Sequence, residues 1–382
     1  MSRNLVICCD GTNNQFGPRN TNVIRLIQVL ADKPADSQLV YYDPGIGTLA
    51  EPGWVTRAGK WFAERLDGAI AVALHSKVER AYTFLADVWQ PGDRIFLFGF
   101  SRGAYTVRAL GALLHAIGLL PPRSQNQVPY AMRLFGALAG YDGQEEKTEY
   151  FRRCRQFRLT FARHVPDKAN RRVPIACMGL WDTVSTVGWA WNPQSLPYTA
   201  GNPSISVVRH AVSIDERRAF FRQNLIKPIE GQDAEERWFA GVHSDIGGGY
   251  TKERGKLWRA SFEWVVREAM ASGLRVDESR LRRRLGGAVV RDVWREPIND
   301  SLTPSWWPAE FFPKLVRERD NERRSPRLNL FASRIVPKGA ILDFSLLQRI
   351  VNDHSYAPAS LSKEFVAQVR GTPPSGCIPY LP

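Results

Sequence analysis

The ten residues Ile95–Ala104, IFLFGFSRGA, constrain the fold of this chain more than any other stretch. An apolar run, Ile95-Phe96-Leu97-Phe98, enters Gly99-Phe100-Ser101-Arg102-Gly103, and a helix-compatible segment from Ala104 to Leu114 follows. A strand that reverses into a helix within five residues brings the two elements so close that flanking side chains would clash, hence glycine on both sides. The tip of such a turn lifts the serine hydroxyl off the sheet. The helix N-terminus behind it offers unpaired N–H groups. A bare G-x-S-x-G arises by chance in about one chain in ten of this size, because glycine and serine are common residues. A mere turn requires neither the apolar run before the motif nor the alanine-rich helix after it. The combination therefore favours the nucleophile elbow, a sharp strand–turn–helix with serine at its tip.

Four further segments read as strands, and each ends in a loop with chemistry in it. Leu5 to Cys9 runs into Asp10-Gly11-Thr12-Asn13-Asn14, and Leu39 to Tyr42 into Asp43-Pro44-Gly45-Ile46-Gly47. Val173 to Leu180 runs into Trp181-Asp182-Thr183, and Arg237 to Val242 into His243-Ser244-Asp245-Ile246-Gly247. Helical patterns cover Asn22 to Leu30, Ala69 to Val88, Tyr105 to Ile117 and Val207 to Phe221. Near-continuous apolar strands alternating with helices predict an α/β fold of α/β-hydrolase type: a mostly parallel sheet with helices on both faces plus helical and loop insertions. Ligands bind such sheets beyond the carboxyl ends of the strands, where all these loops fall. Residues 1–382 are expected to form a single domain. Residues 118–170, rich in charge, proline and glycine, read as a cap or insertion. Residues 255–382 read as a basic, aromatic-rich portion of helices and loops packed on the core.

A serine is inert without a base, and the base needs an acid to orient it. On an elbow of this kind the chain order is Ser, then Asp or Glu, then His. Ser101, Asp182 and His243 occur in that order, each directly after an expected strand. A carboxylate after the apolar run Ile175 to Leu180 needs a partner to stay ionised, and an imidazole N–H supplies one; a helix N-cap is the other role open to Asp182. Of the six histidines, His210 and His354 are the rivals to His243. Asp245 is open to two readings. It could act as base in a Ser–Asp dyad, although Ile246 interrupts the glycine run such a dyad usually has, or it could shape the His243 loop through a side-chain turn. For an oxyanion hole the Arg102 amide is one donor, and the backbone at Gly11-Thr12 is the choice for the second. Asp10 could instead mark a phosphate or metal site, but no second clustered carboxylate pair accompanies it. No metal-ligand spacing and no cofactor-binding motif is present.

Composition narrows the partners. The net charge of +14 draws polyanions, and basic residues thicken at Arg280 to Arg284 and Arg317 to Arg327. No nucleic-acid-binding motif goes with them, so nucleic acid is the less favoured partner and an anionic membrane surface the more favoured one. The five cysteines, with Cys8 and Cys9 adjacent, follow no disulfide or zinc pattern and read as reduced thiols. With no signal peptide and no apolar stretch long enough to span a bilayer, the expected location is cytoplasmic, with signal-independent export open.

With these segments laid out, the chain resembles an α/β-hydrolase family of uncharacterised domains that includes bacterial type VI secretion lipase effectors of the first class. The residues that carry the likeness are CDGT at Cys9–Thr12, GFSRGA at Gly99–Ala104, WDTV at Trp181–Val184, RHAVSIDERR at Arg209–Arg218 and HSDIGGGY at His243–Tyr250. Ser301 to Pro313, with Trp306-Trp307 and Glu310, is similar to a later segment of that family. The resemblance implies a phospholipase A-type lipase or esterase with a Ser-Asp-His triad. Ser101 and Asp182 carry over directly, and the histidine is His243 or, in Asp353-His354-Ser355, His354. The substrate expected is a phospholipid or other ester. Two alternatives stand beside it: a catalytically degenerate hydrolase fold that binds membrane or nucleic acid through its basic surface, and a metal-dependent phosphoesterase using Asp10 and Asp245.

Overall fold

A computed structural model of the chain describes residues 2–11, 14, 17, 19–32, 34, 37–45, 74–140, 143–184, 196–251, 253–286, 290–311, 314–317 and 324–382. Strand β1 (Asn4–Cys9) is buried along its whole length. Leu5, Ile7 and Cys9 enter one core cluster, and Val6 and Cys8 enter another. Side chains alternate between faces with period two, so a strand with both faces buried needs an uninterrupted apolar run. The same alternation splits β3 (Arg94–Phe100): Ile95 and Leu97 face one cluster, Phe96, Phe98 and Phe100 the other.

Between these strands lie helix α1 (Asn22–Val29), strand β2 (Gln38–Asp43) and helix α2, residues 74–88. After β3 come α3 (Arg102–Ile117), α4 (Val128–Gly136), α5 (Gln144–Phe161) and β4 (Ile175–Trp181). Then follow β5 (Ile205–Ser213), β6 (Asp233–Phe239), α6 (His243–Gly247), α7 (Trp258–Ala271) and α8 (Glu278–Leu285). Helix α9 (Trp307–Glu310) precedes an antiparallel pair, β7 (Lys314–Arg317) and β8 (Arg324–Arg327). The chain ends with β9 (Ile341–Leu342), α10 (Phe344–Asn352), α11 (Lys363–Gly371) and β10 (Ile378–Pro379).

Eight strands form the main sheet in the order β10-β9-β6-β5-β4-β3-β1-β2. Every neighbouring pair is parallel except β9 and β10. Helices α2 to α5 cover one face; α1, α7 and α8 cover the other. A third cluster packs α10 and α11 against Val212 and Trp238 of β5 and β6. The residues expected as a cap or insertion contain α4 and α5, whose buried Ala131, Met132, Phe135, Tyr150, Cys154 and Phe157 join the α3-side core. The strand order reverses between β1 and β3, and at such a reversal the loops beyond the strand ends part to leave a crevice.

The structure corrects one expected helix. Residues 207–221 do not form it: Ile205–Ser213 is the strand β5, and only Ala219–Phe221 winds into a single 3-10 turn. The apolar positions Val207, Val208, Ala211 and Val212 fit a helical stripe as well as a strand, so periodicity alone cannot separate the two. Pairing with β4 on one side and β6 on the other decides it. The strand expected to end at Val242 ends instead at Phe239, leaving Ala240 to Val242 as the loop into α6. The C-terminal part, expected as helices and loops, also contributes β7 and β8 and extends the sheet edge with β9 and β10. Of the expected helix from Ala69, residues 69–73 lie outside the described residues.

Candidate active site

Ser101 stands between β3 and α3 with φ 60° and ψ −122°. A side chain with a Cβ rarely adopts that conformation, and it persists only where the surroundings enforce it. Here they do. The Ser101 N–H donates to the Trp181 carbonyl (3.0 Å), and its carbonyl accepts from Tyr105 N–H (3.4 Å). A Cβ on Gly103 would lie 2.1 Å from the Cys9 carbonyl oxygen, and one on Gly99 would lie 2.5 Å from the Gly103 oxygen. Both glycines are therefore demanded by the approach of α3 to β1 and of the turn to itself.

His243 opens α6. Its Nε2 lies 2.9 Å from Ser101 Oγ, and its Nδ1 lies 2.5 Å from Asp182 Oδ2. Asp182 follows β4 in a positive-φ conformation (φ 40°). Its N–H donates to the Ala211 carbonyl at 2.7 Å, and its Oδ1 accepts the Ser213 N–H at 2.9 Å. The end of β5 thus seats the acid. The three side chains are buried and form one hydrogen-bonded line. The imidazole stacks on Phe100 (centroids 4.6 Å apart) and meets the edge of Phe221 (4.8 Å).

Asp182 also carries a guanidinium. Arg334 Nη1 lies 2.5 Å from Oδ1 and Nη2 lies 3.0 Å from Oδ2. Burial alone would raise the Asp182 carboxyl, but the charge of Arg334 and the hydrogen bond and charge of His243 hold it well below the ordinary carboxylate range. Burial lowers the His243 imidazole from its ordinary 6.5, the Asp182 carboxylate pulls it back up, and the charge of Arg218 pushes it down. The net lowering leaves His243 neutral, with Nε2 free to accept a proton, at neutral pH. Beneath it, Glu216 accepts from the N–H groups of Arg217, Arg218 and His243 and from Ser301 Oγ, and pairs with the Arg218 guanidinium at 2.9 Å. Burial would raise this carboxyl; Arg218 foremost holds it below the ordinary value.

The remaining sequence candidates have other partners. His210 Nδ1 lies 2.7 Å from Glu236 Oε2, while its Nε2 accepts the Thr183 N–H at 3.0 Å. Both ring nitrogens are occupied away from Ser101. His354 is exposed in the turn after α10. Asp245 faces its own loop, accepting from Val242 N–H and from the backbone and side-chain N–H groups of Asn299; burial raises its pKa to about 6. Asp10 accepts from Gly11 N–H, Thr21 Oγ1 and Tyr42 Oη, and burial raises it too, to about 6. These two carboxylates serve separate loops, and among the described residues no three His, Cys, Asp or Glu side chains gather to hold a metal. The Gly11 backbone does lie against the serine, since a Cβ there would come 2.9 Å from Ser101 Cβ. Its N–H, however, points to Asp10 Oδ1 at 2.8 Å and is taken. Thr12 lies outside the described residues. Arg102 is the first residue of α3, where a backbone N–H has no acceptor within the helix.

Arg334, Glu216 and Phe221 are the site residues that sequence reading passed over. Glu216 lies in Arg209–Arg218, which carried a family likeness but no assigned role, and Phe221 follows three residues after it. Arg334 lies in no motif.

The fold defines the class first: a mostly parallel sheet wrapped by helices, with an elbow serine at the strand-order reversal, is α/β-hydrolase-like. The chain belongs to the family described as T6SS, Phospholipase effector Tle1-like, catalytic domain, whose sequence model matches residues 3–268. It is 33% identical over 233 residues to Uncharacterized protein YEL023C of Saccharomyces cerevisiae, a match covering 59% of this chain and 33% of that protein. A solved structure of an uncharacterized protein from Pseudomonas aeruginosa is similar at 18% identity and a TM-score of 0.44, over 81% of this chain and 51% of that one. The Tle1 effector solved bound to the VgrG spike of the type 6 secretion system is similar at 19% identity and a TM-score of 0.35, over 67% of this chain and 52% of the other. The chain thus spans about a third of the yeast relative and about half of each solved one. No described helix is long and apolar enough to cross a membrane.

Proposed function

We propose that this chain hydrolyses carboxylic esters by a serine mechanism, with the acyl esters of phospholipids as substrates, a phospholipase A-type activity. One observation carries the reading: Ser101 Oγ, His243 and Asp182 stand in a single hydrogen-bonded line with contacts of 2.9 and 2.5 Å. In this mechanism Ser101 Oγ attacks the ester carbonyl carbon while His243 Nε2 takes its proton. The Nδ1–H of His243 stays on the Asp182 carboxylate, which stabilises the imidazolium. The negative oxygen of the tetrahedral intermediate faces the Arg102 N–H at the start of α3. Collapse breaks the bond to the alcohol, which leaves with the proton from His243. A water deprotonated by His243 then cleaves the acyl–Ser101 ester, releasing the fatty acid and free serine.

A second observation supports a lipid substrate. Trp307, Phe311, Leu330 and Ile335 are 50–66% exposed and all come from one stretch of chain. Trp307 and Phe311 both pack edge-on against Phe331. Trp306, next in the chain, meets Phe221, which meets His243. Exposed large apolar side chains on a stretch that reaches the site suit an apolar aggregate, and the net charge of +14 suits anionic headgroups.

The test is hydrolysis of phospholipid vesicles followed by mass analysis of the products. Free fatty acid and lysophospholipid are expected from the wild type, with the rate in Ser101→Ala reduced by at least about a thousandfold. A fluorophosphonate probe should add its mass at Ser101. Equal rates in Ser101→Ala and wild type would overturn the serine mechanism, and labelling elsewhere would displace Ser101.

A further inference from the structure

Arg334 comes from beyond the family-matched residues 3–268 and lies 152 positions from Asp182 in the chain, yet its side chain is 3% exposed and grips that carboxylate. Each terminal guanidinium nitrogen, Nη1 and Nη2, takes one carboxylate oxygen. The fork is itself held: Nη1 donates to the Ser213 carbonyl (3.0 Å) and approaches Ser213 Oγ (2.7 Å), and Nη2 donates to the Phe221 carbonyl. The chain around it is pinned as well. Val336 enters the third core cluster, the Ile335 carbonyl accepts from Gln223, and Asn329 bonds Glu310 and the Arg217 carbonyl.

Such a fork has two consequences. A carboxylate held at one oxygen can swing about its terminal torsion, where rotamer wells are broad. With both oxygens gripped, and Oδ1 also taken by the Ser213 N–H, Oδ2 is fixed toward His243 Nδ1. The second consequence is electrostatic. The ionisable groups facing His243 are Asp182, Glu216, Arg218 and, across Asp182, Arg334. Burial foremost lowers the imidazole, and the two anions pull it back up. Arg218 opposes that pull at the ring, and Arg334 balances the charge of Asp182 at the carboxylate itself.

We propose that Arg334 is a positioning residue for ester hydrolysis: its fork fixes Asp182 in the one orientation that aligns His243 on Ser101, and its positive charge sits against the carboxylate on the side away from the imidazole. The proposal rests on the serine-hydrolase reading above. It makes the C-terminal part of the chain a component of the site and not only packing around it.

The experiment compares the full chain with Arg334→Gln and Arg334→Lys on a short-chain soluble ester. Rates are normalised to the folded fraction read from near-ultraviolet circular dichroism. In Arg334→Gln, kcat should fall about ten- to a hundredfold, and the acid limb of the kcat/KM profile should move up by about half a pH unit. In Arg334→Lys, which keeps the charge but loses the fork, kcat should fall while the limb stays. Added guanidinium below denaturing concentration should restore part of the activity of Arg334→Ala. A merely structural arginine would lower the folded fraction and leave kcat and the limb per folded molecule at wild-type values, and that result overturns the proposal. If Arg334→Gln does not fold, Arg334→Lys decides alone: wild-type kcat overturns it. A wild type that neither hydrolyses the ester nor labels at Ser101 sinks the hydrolase reading itself, whatever Arg334 does.

Discussion

The ring of His243 stacks on that of Phe100 with centroids 4.6 Å apart, and Phe100 is the residue directly before Ser101. The last side chain of β3 therefore supports the imidazole whose Nε2 the next residue meets. A Cβ on Gly247 would intrude to 1.9 Å from the Phe100 ring, so the first glycine of Gly247-Gly248-Gly249 is required by that stack. Gly247→Ala should displace the ring and tilt His243. Overpacking of this kind costs about 1–3 kcal/mol of stability, which leaves a chain this size folded. We expect kcat to fall at least about tenfold, since small misplacements of a base are costly. Wild-type kcat in a folded Gly247→Ala protein would show that the stack does not align the base.

The two buried histidines make a discriminating pair. His243→Ala should lower kcat by about a thousandfold or more, as loss of a triad base does. His210→Asn should lower it by less than about tenfold, because the His210 nitrogens serve Glu236 and the Thr183 N–H and not Ser101. Its larger effect should be on stability, about 1–3 kcal/mol for the buried partners left unpaired, read from the denaturant midpoint. The reverse ranking of the two kcat losses would transfer the role of base to His210.

How far the sequence reaches depends on whether a feature is local. The elbow, the strands β1 to β4 and the order Ser101, Asp182, His243 are written in runs of ten residues or fewer, each with its own apolar period or turn glycine. Strand β5 is not: Val207 to Val212 satisfies two periods at once, and only the parallel neighbours β4 and β6 choose between them. That miss hid the seat of the acid, because the Ser213 N–H that holds Asp182 lies at the end of β5. Arg334 was illegible for another reason. One arginine among the 52 basic residues carries no pattern, and its partner is set by tertiary structure alone. The Gly11 position was legible as close backbone approach, but the direction of its N–H, onto Asp10, was not.

The state of His243 fixes a pH dependence. Burial lowers its pKa below the ordinary 6.5 against the upward pull of Asp182. In the proposed mechanism His243 works as the neutral base, so activity should be full above that pKa and fall as pH drops through it. The acid limb of kcat/KM on a soluble ester should therefore lie below pH 6.5. Asp182, held below the usual carboxylate range by Arg334 and His243, stays ionised across that window and should add no limb of its own. A limb above 6.5 would mean that the carboxylates around His243 outweigh its burial.

The exposed Trp307, Phe311 and Leu330 bear on substrate presentation and not on the chemical step. They are exposed, and they belong to the stretch whose Trp306 reaches Phe221 beside the imidazole. Inserting such side chains into an interface gains roughly 25 cal/mol for each Å² of apolar surface removed from water. Replacing all three with serine should cut the rate on anionic phospholipid vesicles by about tenfold or more. The rate on a monomeric short-chain ester should stay within about twofold, because the triad geometry is untouched. Vesicle co-sedimentation of Ser101→Ala, with and without the three changes, separates binding from turnover. With net charge +14, binding should weaken as salt rises and as anionic lipid is replaced by zwitterionic lipid. Equal losses on vesicles and on the soluble ester would mean that these residues support the site and do not meet a lipid surface.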